Sequence, residues 1–350
     1  MGKLRAALEA YAAQGLRSYH TPGHKGTFDP LDLTELPGLD DLHAPSGILK
    51  EAQMRAAALY GADFSFYLVN GSTVGVLAAV SAAVPKGGKL LMQRESHRCV
   101  YNAAMLRDLK LSFLETEREP ISGAGLGVTL KEAQRGLEAC PDADAVLLTS
   151  PNYEGFSAEL EEIAELVHAK GLPLIVDAAH GAHFGFSSFH PKSAVQCGAD
   201  VCVMSLHKTL PSPTQTALLH LKGQRVSAES LQEWLAVYQT TSPSYLFMAA
   251  MDDCIDYVSH LSGKDWEEYE KKRRKLSDVL RDIPGVYLLD AFSEVEGPRP
   301  EAGKLLLVPT DGRSGTELAA DLRRSLNIEA ELALPSYVLL ISTICDQPLM

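Results

Sequence analysis

A lysine follows a segment that has the composition of a buried strand. The apolar run 201–204 (VCVM) precedes the segment SLHKTL (205–210), which contains Lys208. A lysine at the end of a buried strand is partly removed from water, so it either pairs with an anion or loses its proton and becomes a nucleophile. The second state is the one that forms Schiff bases with carbonyl compounds. We therefore predict that Lys208 is a nucleophilic residue of an active site.

An aspartate follows a second apolar run. Residues 172–176 (LPLIV) lead directly into Asp177. Because chemistry in α/β proteins collects at the carboxyl ends of parallel strands, we expect Asp177 and Lys208 to face the same crevice. A Schiff-base lysine with an aspartate near a pyridinium nitrogen is the arrangement that pyridoxal 5'-phosphate (PLP) requires. The pair therefore indicates PLP as the cofactor.

A metal site is an alternative interpretation of the same region. Two histidines and a carboxylate can bind zinc, and Asp177, His180 and His183 offer these groups at close spacing. These residues follow a strand directly and lie in a glycine-containing turn, and the metal interpretation leaves Lys208 without a role. We predict that the site contains no metal.

Two hydroxyl residues open a predicted helix. Ser72 and Thr73 follow a strand candidate at 64–70 and precede the apolar run 74–84. Small hydroxyl residues at this position can simply cap the helix. The same helix start can also bind phosphate, because its free N–H groups and the positive end of its dipole point outward. The residues alone leave both interpretations open.

Five separate segments, in register, resemble the ornithine/lysine/arginine decarboxylases of PLP fold type I. The similarity extends from about residue 20 to about residue 260 and is greatest to the short bacterial members without an N-terminal wing domain. The segments are HTPGHK (20–25), DDLHAPSG (40–47), NGST (70–73), DAAHGAH (177–183) and SLHKTL (205–210).

The resemblance implies a role for each candidate site residue. Lys208 would carry PLP, Asp177 would pair with the pyridine nitrogen, and His180 keeps a position that recurs in the cofactor site. His207 and the released Lys208 are both candidates for the proton donor. The remaining residues implied to contact PLP are His97 above the ring, Ala179 below it, and Ser72, Thr73, Ser205 and His207 around the phosphate.

The implied reaction is decarboxylation of lysine, arginine or ornithine. Asp40, Asp41 and Glu154 are guesses for the residues that recognise the far end of the substrate. Ala178 departs from the family, which more often has glutamate there, and Asn152 and Glu154 are local departures. Two other functions stay open, namely another reaction of PLP fold type I, such as that of an aminotransferase or aldol-type lyase, and a non-catalytic relative that regulates a partner decarboxylase.

Alternating strands and helices of 10 to 15 residues predict a mostly parallel sheet with helices on both faces. With the resemblance, the fold class is α/β, an aspartate aminotransferase-like large domain followed by a smaller α+β domain that is possibly incomplete. The predicted divisions are an N-terminal helix and arm at 1–47, the PLP-binding domain at 48–262 and the small domain at 263–350.

The segment 18–47 contains too many prolines and glycines for regular structure. It either packs on a partner subunit or takes part in function. The resemblance implies that this arm reaches the active-site region near a dimer interface. We therefore predict a homodimer or larger assembly with shared active sites.

Composition excludes several classes of partner. A net charge of -13 and a pI near 5.3 argue against nucleic acid or anionic membrane as a partner. No apolar run reaches the roughly 18 residues of a membrane-spanning helix, and no signal-peptide core is found, so we expect a cytoplasmic protein. The six cysteines show no metal-binding spacing and are expected to be free thiols.

Overall fold

The computed structural model describes residues 2–294 and 298–346. The larger sheet lies entirely in the first two thirds of the chain. Its seven strands are β1 (Phe64–Leu68), β2 (Lys89–Gln93), β3 (Lys110–Leu114), β4 (Ala145–Thr149), β5 (Leu174–Asp177), β6 (Val201–Ser205) and β7 (Ala217–Leu221).

These strands form a mostly parallel sheet. They lie side by side in the order β1-β7-β6-β5-β4-β2-β3. Strands β3, β2, β4, β5 and β6 pair in parallel, and β7 is antiparallel to both β6 and β1. Six strands therefore end at the same edge, as the sequence predicts for residues that must meet there.

Helices cover both faces of this sheet. Side chains of β4 alternate between them, since Ala145 and Leu147 pack with α3, α4 and α8 while Val146 and Leu148 pack with α1, α2, α5, α6 and α9. The helices are α1 (Lys3–Ala12), α2 (Ile48–Tyr60), α3 (Gly71–Ala83), α4 (Arg98–Arg107), α5 (Leu130–Ala139), α6 (Leu160–Ala169), α7 (Leu206–Thr209), α8 (Ala228–Tyr238), α9 (Tyr245–His260), α10 (Gly263–Arg281) and α11 (Gly315–Leu326).

The described residues from 263 onward form a second, antiparallel sheet, and we call this part the C-terminal unit. Its strands are β8 (Val286–Leu289), β9 (Lys304–Pro309), β10 (Leu332–Ala333) and β11 (Val338–Ile341), in the order β10-β11-β9-β8. One face packs on α10 and α11, and the other face packs on Phe156 from the loop after β4. The sequence pattern of this part predicts strands near 287–289, 304–308 and 338–342 and a helix at 314–326, and all four elements are present.

Several other expectations can be compared with the structure. The breaker-rich segment 18–47 contains no helix or strand, as predicted. The helix-breaking residues Pro211 and Pro213 predict an open loop around Lys208, whereas Lys208 lies in the one-turn helix α7. All six cysteines are free thiols.

In the described part of the chain, no helix combines the length and apolarity needed to cross a membrane. The predicted domain boundaries after residues 47 and 262 stay a prediction. Residues 347–350, the end of the predicted small domain, lie outside the described part.

A buried charge network ties α10 to the second sheet. Arg273 and Asp290 lie 3.2 Å apart with both side chains fully buried. Arg273 also donates to the carbonyl of Ala302 at 2.6 Å and to the hydroxyl of Ser277 at 2.8 Å, and Arg281 contacts the second oxygen of Asp290 at 2.9 Å. Removing one partner would leave a buried charge without compensation, which is far more costly than losing an exposed pair.

Arg273→Ala should therefore destabilise the protein by about 3–5 kcal/mol. The neighbouring Arg274 serves as a matched control, because it lies on the same helix in an exposed pair with Glu270. Arg274→Ala should cost less than about 1 kcal/mol. Urea unfolding of the three proteins measures both effects, and equal losses for the two variants would contradict the importance of the buried network.

Candidate active site

The strand ends bring the predicted residues to one edge of the larger sheet. Asp177, the last residue of β5, lies opposite Val203 of the parallel neighbour β6. Strand β6 ends two residues later at Ser205, and one turn of helix then carries Lys208. The parallel register therefore places the carboxylate and the lysine beside each other, as the apolar runs before them predicted.

A helix start and two hydroxyl groups lie next to this pair. Helix α3 begins at Gly71, and the hydroxyl of Ser205 donates to that of Ser72 at 2.9 Å. Helix α3 packs very closely on β6. A Cβ atom at Gly75 would lie only 2.9 Å from a methyl group of Val203, so this position requires glycine. The first turn of a helix has N–H groups without helical partners, so this corner has the donors of an anion site. Thr73 is exposed at the same helix start.

Lys208 is held in a largely desolvated position. Its Nζ atom lies 3.0 Å from Nε2 of His180. Burial lowers the pKa of Lys208, and the nearby Asp177 carboxylate partly opposes this effect. The amine is therefore easier to deprotonate than an exposed lysine, which is the property required of a nucleophile.

Asp177 is a buried carboxylate that faces cationic groups. Burial raises its pKa, whereas Lys208, the backbone N–H of Ala179 and His97 act in the opposite direction. The Ala179 N–H donates to Oδ1 of Asp177 at 3.1 Å, which fixes the side chain. A positively charged ring nitrogen near this carboxylate would compensate the cost of its burial.

His180 lies at the centre of a contact that joins two lysines. Its Nε2 atom faces Lys208, and its Nδ1 atom lies 2.9 Å from Nζ of Lys304, the first residue of β9. Lys304 also donates to the carbonyl of Tyr153 at 3.0 Å, and the Tyr153 ring packs edge-on against the imidazole at 4.9 Å. Sequence reasoning missed both Lys304 and Tyr153.

The contacts of His180 with Lys208 and Lys304 restrict the protonation states of the three side chains. Burial and the two lysines hold the pKa of His180 well below its usual range, so the ring is neutral. An ammonium group offers only donors, whereas a neutral imidazole offers one donor and one acceptor. One ring nitrogen accepts a hydrogen bond from an ammonium group, and the other donates its proton. The lysine that accepts this proton must therefore be a free amine. Burial lowers the pKa of Lys304 to about 8, with Glu301 opposing, so its proton is exchangeable near neutral pH.

The remaining predicted residues lie around the same edge. His97 is the N-cap of α4, is exposed, and accepts the N–H of Cys99 through Nδ1 at 3.3 Å. His207 is half-buried, with Nδ1 at 3.1 Å from the carbonyl of Thr216. Ala179, two residues after Asp177, is buried.

The residues suggested for substrate recognition have other contacts. Asp40 accepts N–H groups of Gly47 at 2.7 Å and of Leu49 at 3.0 Å, so it caps the start of α2. Asp41 accepts the N–H of His43 at 2.8 Å. Glu154 accepts a hydrogen bond from the hydroxyl of Tyr337 at 2.6 Å. Asp40 and Asp41 therefore act in local turns, and their role toward a substrate stays a guess.

These residues fit PLP in their chemistry. A desolvated amine, a buried carboxylate and a helix start with two hydroxyl groups match the aldehyde, the pyridine nitrogen and the phosphate of the cofactor. Lys208, Asp177, Ser72 and Ser205 would hold it. Thr73, His97, Ala179, His180 and His207 lie at the same edge and stay predicted contacts.

Known proteins show the same fold. The solved lysine decarboxylase LdcF of Francisella novicida superposes with a TM-score of 0.83 at 19% identity, covering 99% of this chain and 58% of that chain. Sphingomonas wittichii serine palmitoyltransferase superposes with a TM-score of 0.69 at 17% identity, covering 97% and 79%. The chain thus spans little more than half the length of the lysine decarboxylase, and at these identities the likeness shows the fold alone. The predicted PLP fold type I is confirmed.

Sequence relatives show the family. Residues 29–282 match the family described as Orn/Lys/Arg decarboxylase, major domain. The uncharacterized protein YaaO of Bacillus subtilis (strain 168) is 39% identical over 360 residues, covering 97% of this chain and 73% of that protein. Arginine decarboxylase of the same strain is 34% identical over 349 residues, covering 94% and 71%. The chain therefore belongs to the Orn/Lys/Arg decarboxylase family of PLP-dependent amino-acid decarboxylases.

Proposed function

We propose that this protein binds PLP through Lys208 and decarboxylates a basic amino acid, with arginine as the first candidate. The observation that supports it most directly is the pairing of a desolvated lysine with a buried aspartate at adjacent parallel strand ends. Family membership supports the reaction. The choice of arginine rests on relatives named arginine decarboxylase, which are 31–34% identical over 94% or more of this chain.

Each residue has a defined part in this proposal. PLP, when bound, supplies a ring that accepts the electrons of the breaking bond between Cα and the carboxylate. Asp177 keeps the pyridine nitrogen protonated, since a buried carboxylate favours a proton on its partner. Ser72 and Ser205 bind the phosphate and fix the plane of the cofactor. Orientation of the scissile bond relative to that plane selects decarboxylation over competing reactions.

Proton transfer completes the reaction. The carbon that loses CO₂ must receive a proton, for which His207 and Lys208 are both candidates. Because His180 contacts Lys208 on one side and Lys304 on the other, a proton on Lys304 can replace one that Lys208 gives away. His97 would stack on the cofactor ring and limit access of water from the exposed side.

Release of CO₂ from arginine, lysine and ornithine tests the function. PLP-loaded protein should release CO₂ from at least one of them, and arginine should give the highest kcat/KM. Lys208→Ala should abolish CO₂ release while the protein stays folded. It should also remove the absorbance band at roughly 420 nm, which reports the Schiff base and which borohydride destroys. The exposed Lys192 supplies a control, because Lys192→Ala should change neither property. A band without CO₂ from any substrate would favour the non-catalytic relative.

Asp177→Asn tests the role of charge at constant shape. PLP should still bind, but CO₂ release should fall by several powers of ten, because a buried charge pair worth several kcal/mol is lost. Cofactor content and single-turnover rates are measured on the same samples. Turnover close to that of the unchanged protein would remove Asp177 from this role.

We further propose that the active protein is a homodimer or larger, with the arm 18–47 at the interface. The arm exposes large apolar side chains, since Tyr19 is 93% and Phe28 81% accessible in the single chain. Burial of such rings commonly drives association. The cytoplasmic location also stays a prediction.

Analytical ultracentrifugation of the PLP-loaded protein should give a dimer or larger species. Phe28→Asp should weaken association, because it places a charge in the proposed interface. Leu326→Asp is a suitable control, since Leu326 is also exposed but lies at the end of α11, far along the chain from the arm. A fully active monomer would contradict the proposal of shared sites.

A further inference from the structure

A second cluster of ionisable side chains lies outside the proposed cofactor site. It contains His183 and His190 from the segment after β5 and Glu301 from the segment before β9. One ligand atom from each residue lies within 4.8 Å of the others, and all three residues are buried. Within the described ranges, this is the group of His, Cys, Asp and Glu residues whose geometry suits a metal ion.

The cluster leaves polar atoms without partners. Both ring nitrogens of His190, Nδ1 of His183 and Oε1 of Glu301 are buried and make no hydrogen bond. The side chain of His190 is fully buried, and those of His183 and Glu301 are 7% and 1% exposed. Burying a polar atom without a partner costs roughly 1–3 kcal/mol, and a bound ion would satisfy one nitrogen of each imidazole and one carboxylate oxygen.

The surroundings of the cluster favour a cation over a larger ligand. The His190 ring is enclosed by the aromatic rings of Phe184, Phe189, Trp266 and Tyr269, at centroid distances of 5.0 to 6.4 Å. The side chain of His190 is fully buried among these rings. Two imidazoles and one carboxylate form a donor set that binds Zn²⁺ with a water molecule as the fourth ligand.

The distances are close to those of a zinc site. Ligands at about 2.0–2.1 Å from a tetrahedral ion lie about 3.3 Å from one another. Nε2 of His183 already lies 3.2 Å from Oε2 of Glu301, and Nδ1 of His190 lies 4.0 Å from the same oxygen. Small side-chain rotations would complete the site. The N–H of Gly303 donates to Oε2 of Glu301 at 2.7 Å and so fixes the carboxylate from outside the cluster.

We propose that His183, His190 and Glu301 bind one Zn²⁺ ion that links the larger sheet to the C-terminal unit. The two histidines follow β5 of the larger sheet, whereas Glu301 precedes β9 of the second sheet. The role proposed for the ion is structural, because its ligands come from two parts of the chain that it would hold together. The ion would also help to position Lys304 at the proposed cofactor site. Glu301 is three residues from Lys304, and Lys304 contacts His180.

The cluster has one feature that opposes a cation. The positive charge of Lys304 is close enough to Glu301 to help lower the pKa of that carboxyl, together with His183 and His190 and against the effect of burial. Among the described residues, however, Nζ of Lys304 donates to the carbonyl of Tyr153 and contacts Nδ1 of His180, and it makes no hydrogen bond with Glu301. Oε1 of Glu301 therefore remains available to an ion.

Zinc content and thermal unfolding test the proposal. Full-length PLP-loaded protein is stripped with a chelator and titrated with Zn²⁺ alone. We expect about one tightly bound Zn²⁺ per chain by elemental analysis and a higher unfolding temperature with zinc than without, because an ion that binds only the folded state stabilises it. Absence of saturable binding, or binding without any thermal shift, would overturn the proposal.

Two variants identify the site. His190→Phe keeps a ring inside the aromatic surroundings but removes both nitrogens, so it should fold and lose the zinc-dependent shift. His260→Ala removes an exposed histidine on α9 and should leave the shift unchanged. If His190→Phe binds zinc as well as the unchanged protein, the ion occupies surface positions only and the proposal is wrong. Should His190→Phe fail to fold, Glu301→Gln replaces it and should lower zinc affinity at least about tenfold.

The test is independent of the proposed function. Lys208→Ala should retain the zinc and its thermal shift, because Lys208 is not part of the cluster. Zinc binding by an unchanged protein that releases no CO₂ from arginine, lysine or ornithine would therefore disprove only the proposed reaction. Loss of zinc binding with decarboxylation retained would disprove only the metal site.

Discussion

The structure depends on two opposite charges that are removed from water at neighbouring strand ends. Lys208 and Asp177 each experience burial that disfavours their charged form, and each moderates that effect in the other. Such a pair is stable only where the surrounding backbone is rigid. The parallel register of β5 and β6, both completely buried, supplies that rigidity.

Other elements can be understood as support for this pair. Helix α3 packs on β6 so closely that Gly75 has no room for a side chain, and this contact brings Ser72 to Ser205. Strand β7 lies between β1 and β6 and runs opposite to both, so the strand that leads to Ser72 and the strand that leads to Lys208 end at one edge. The donors proposed to bind the phosphate and the lysine proposed as the nucleophile thus have fixed relative positions before any ligand binds.

Much of the larger sheet, and part of the candidate site at its edge, could be predicted from local sequence. The apolar runs before Asp177 and Lys208 predict buried strands, because only a strand covered on both faces tolerates such composition. The two hydroxyl residues before an apolar helix suggest an anion site, although the same residues could have been simple caps. The helix starts and ends follow local rules, such as Gly61 in the left-handed conformation after α2.

Contacts between distant parts of the chain could not be predicted in this way. Lys304 is 124 residues from His180, and nothing in either local segment encodes their contact. One signal was present, since Lys304 begins an apolar strand as a lysine that must be buried, which is the same reasoning that identified Lys208. Asp40 shows a second limit, because its carboxylate accepts N–H groups at the start of α2, a contact that its place in a functional-looking loop did not indicate, and its suggested role in substrate recognition stays a prediction.

The central claim is that Lys208, and no other lysine, forms the covalent bond with PLP. Borohydride reduction of the PLP-loaded protein makes that bond permanent, and peptide mapping by mass spectrometry then locates the pyridoxyl group. We expect the group on the peptide that contains residues 205–210, with Lys170, Lys192 and Lys222 unmodified. A pyridoxyl group on Lys304 or on any other lysine would contradict it.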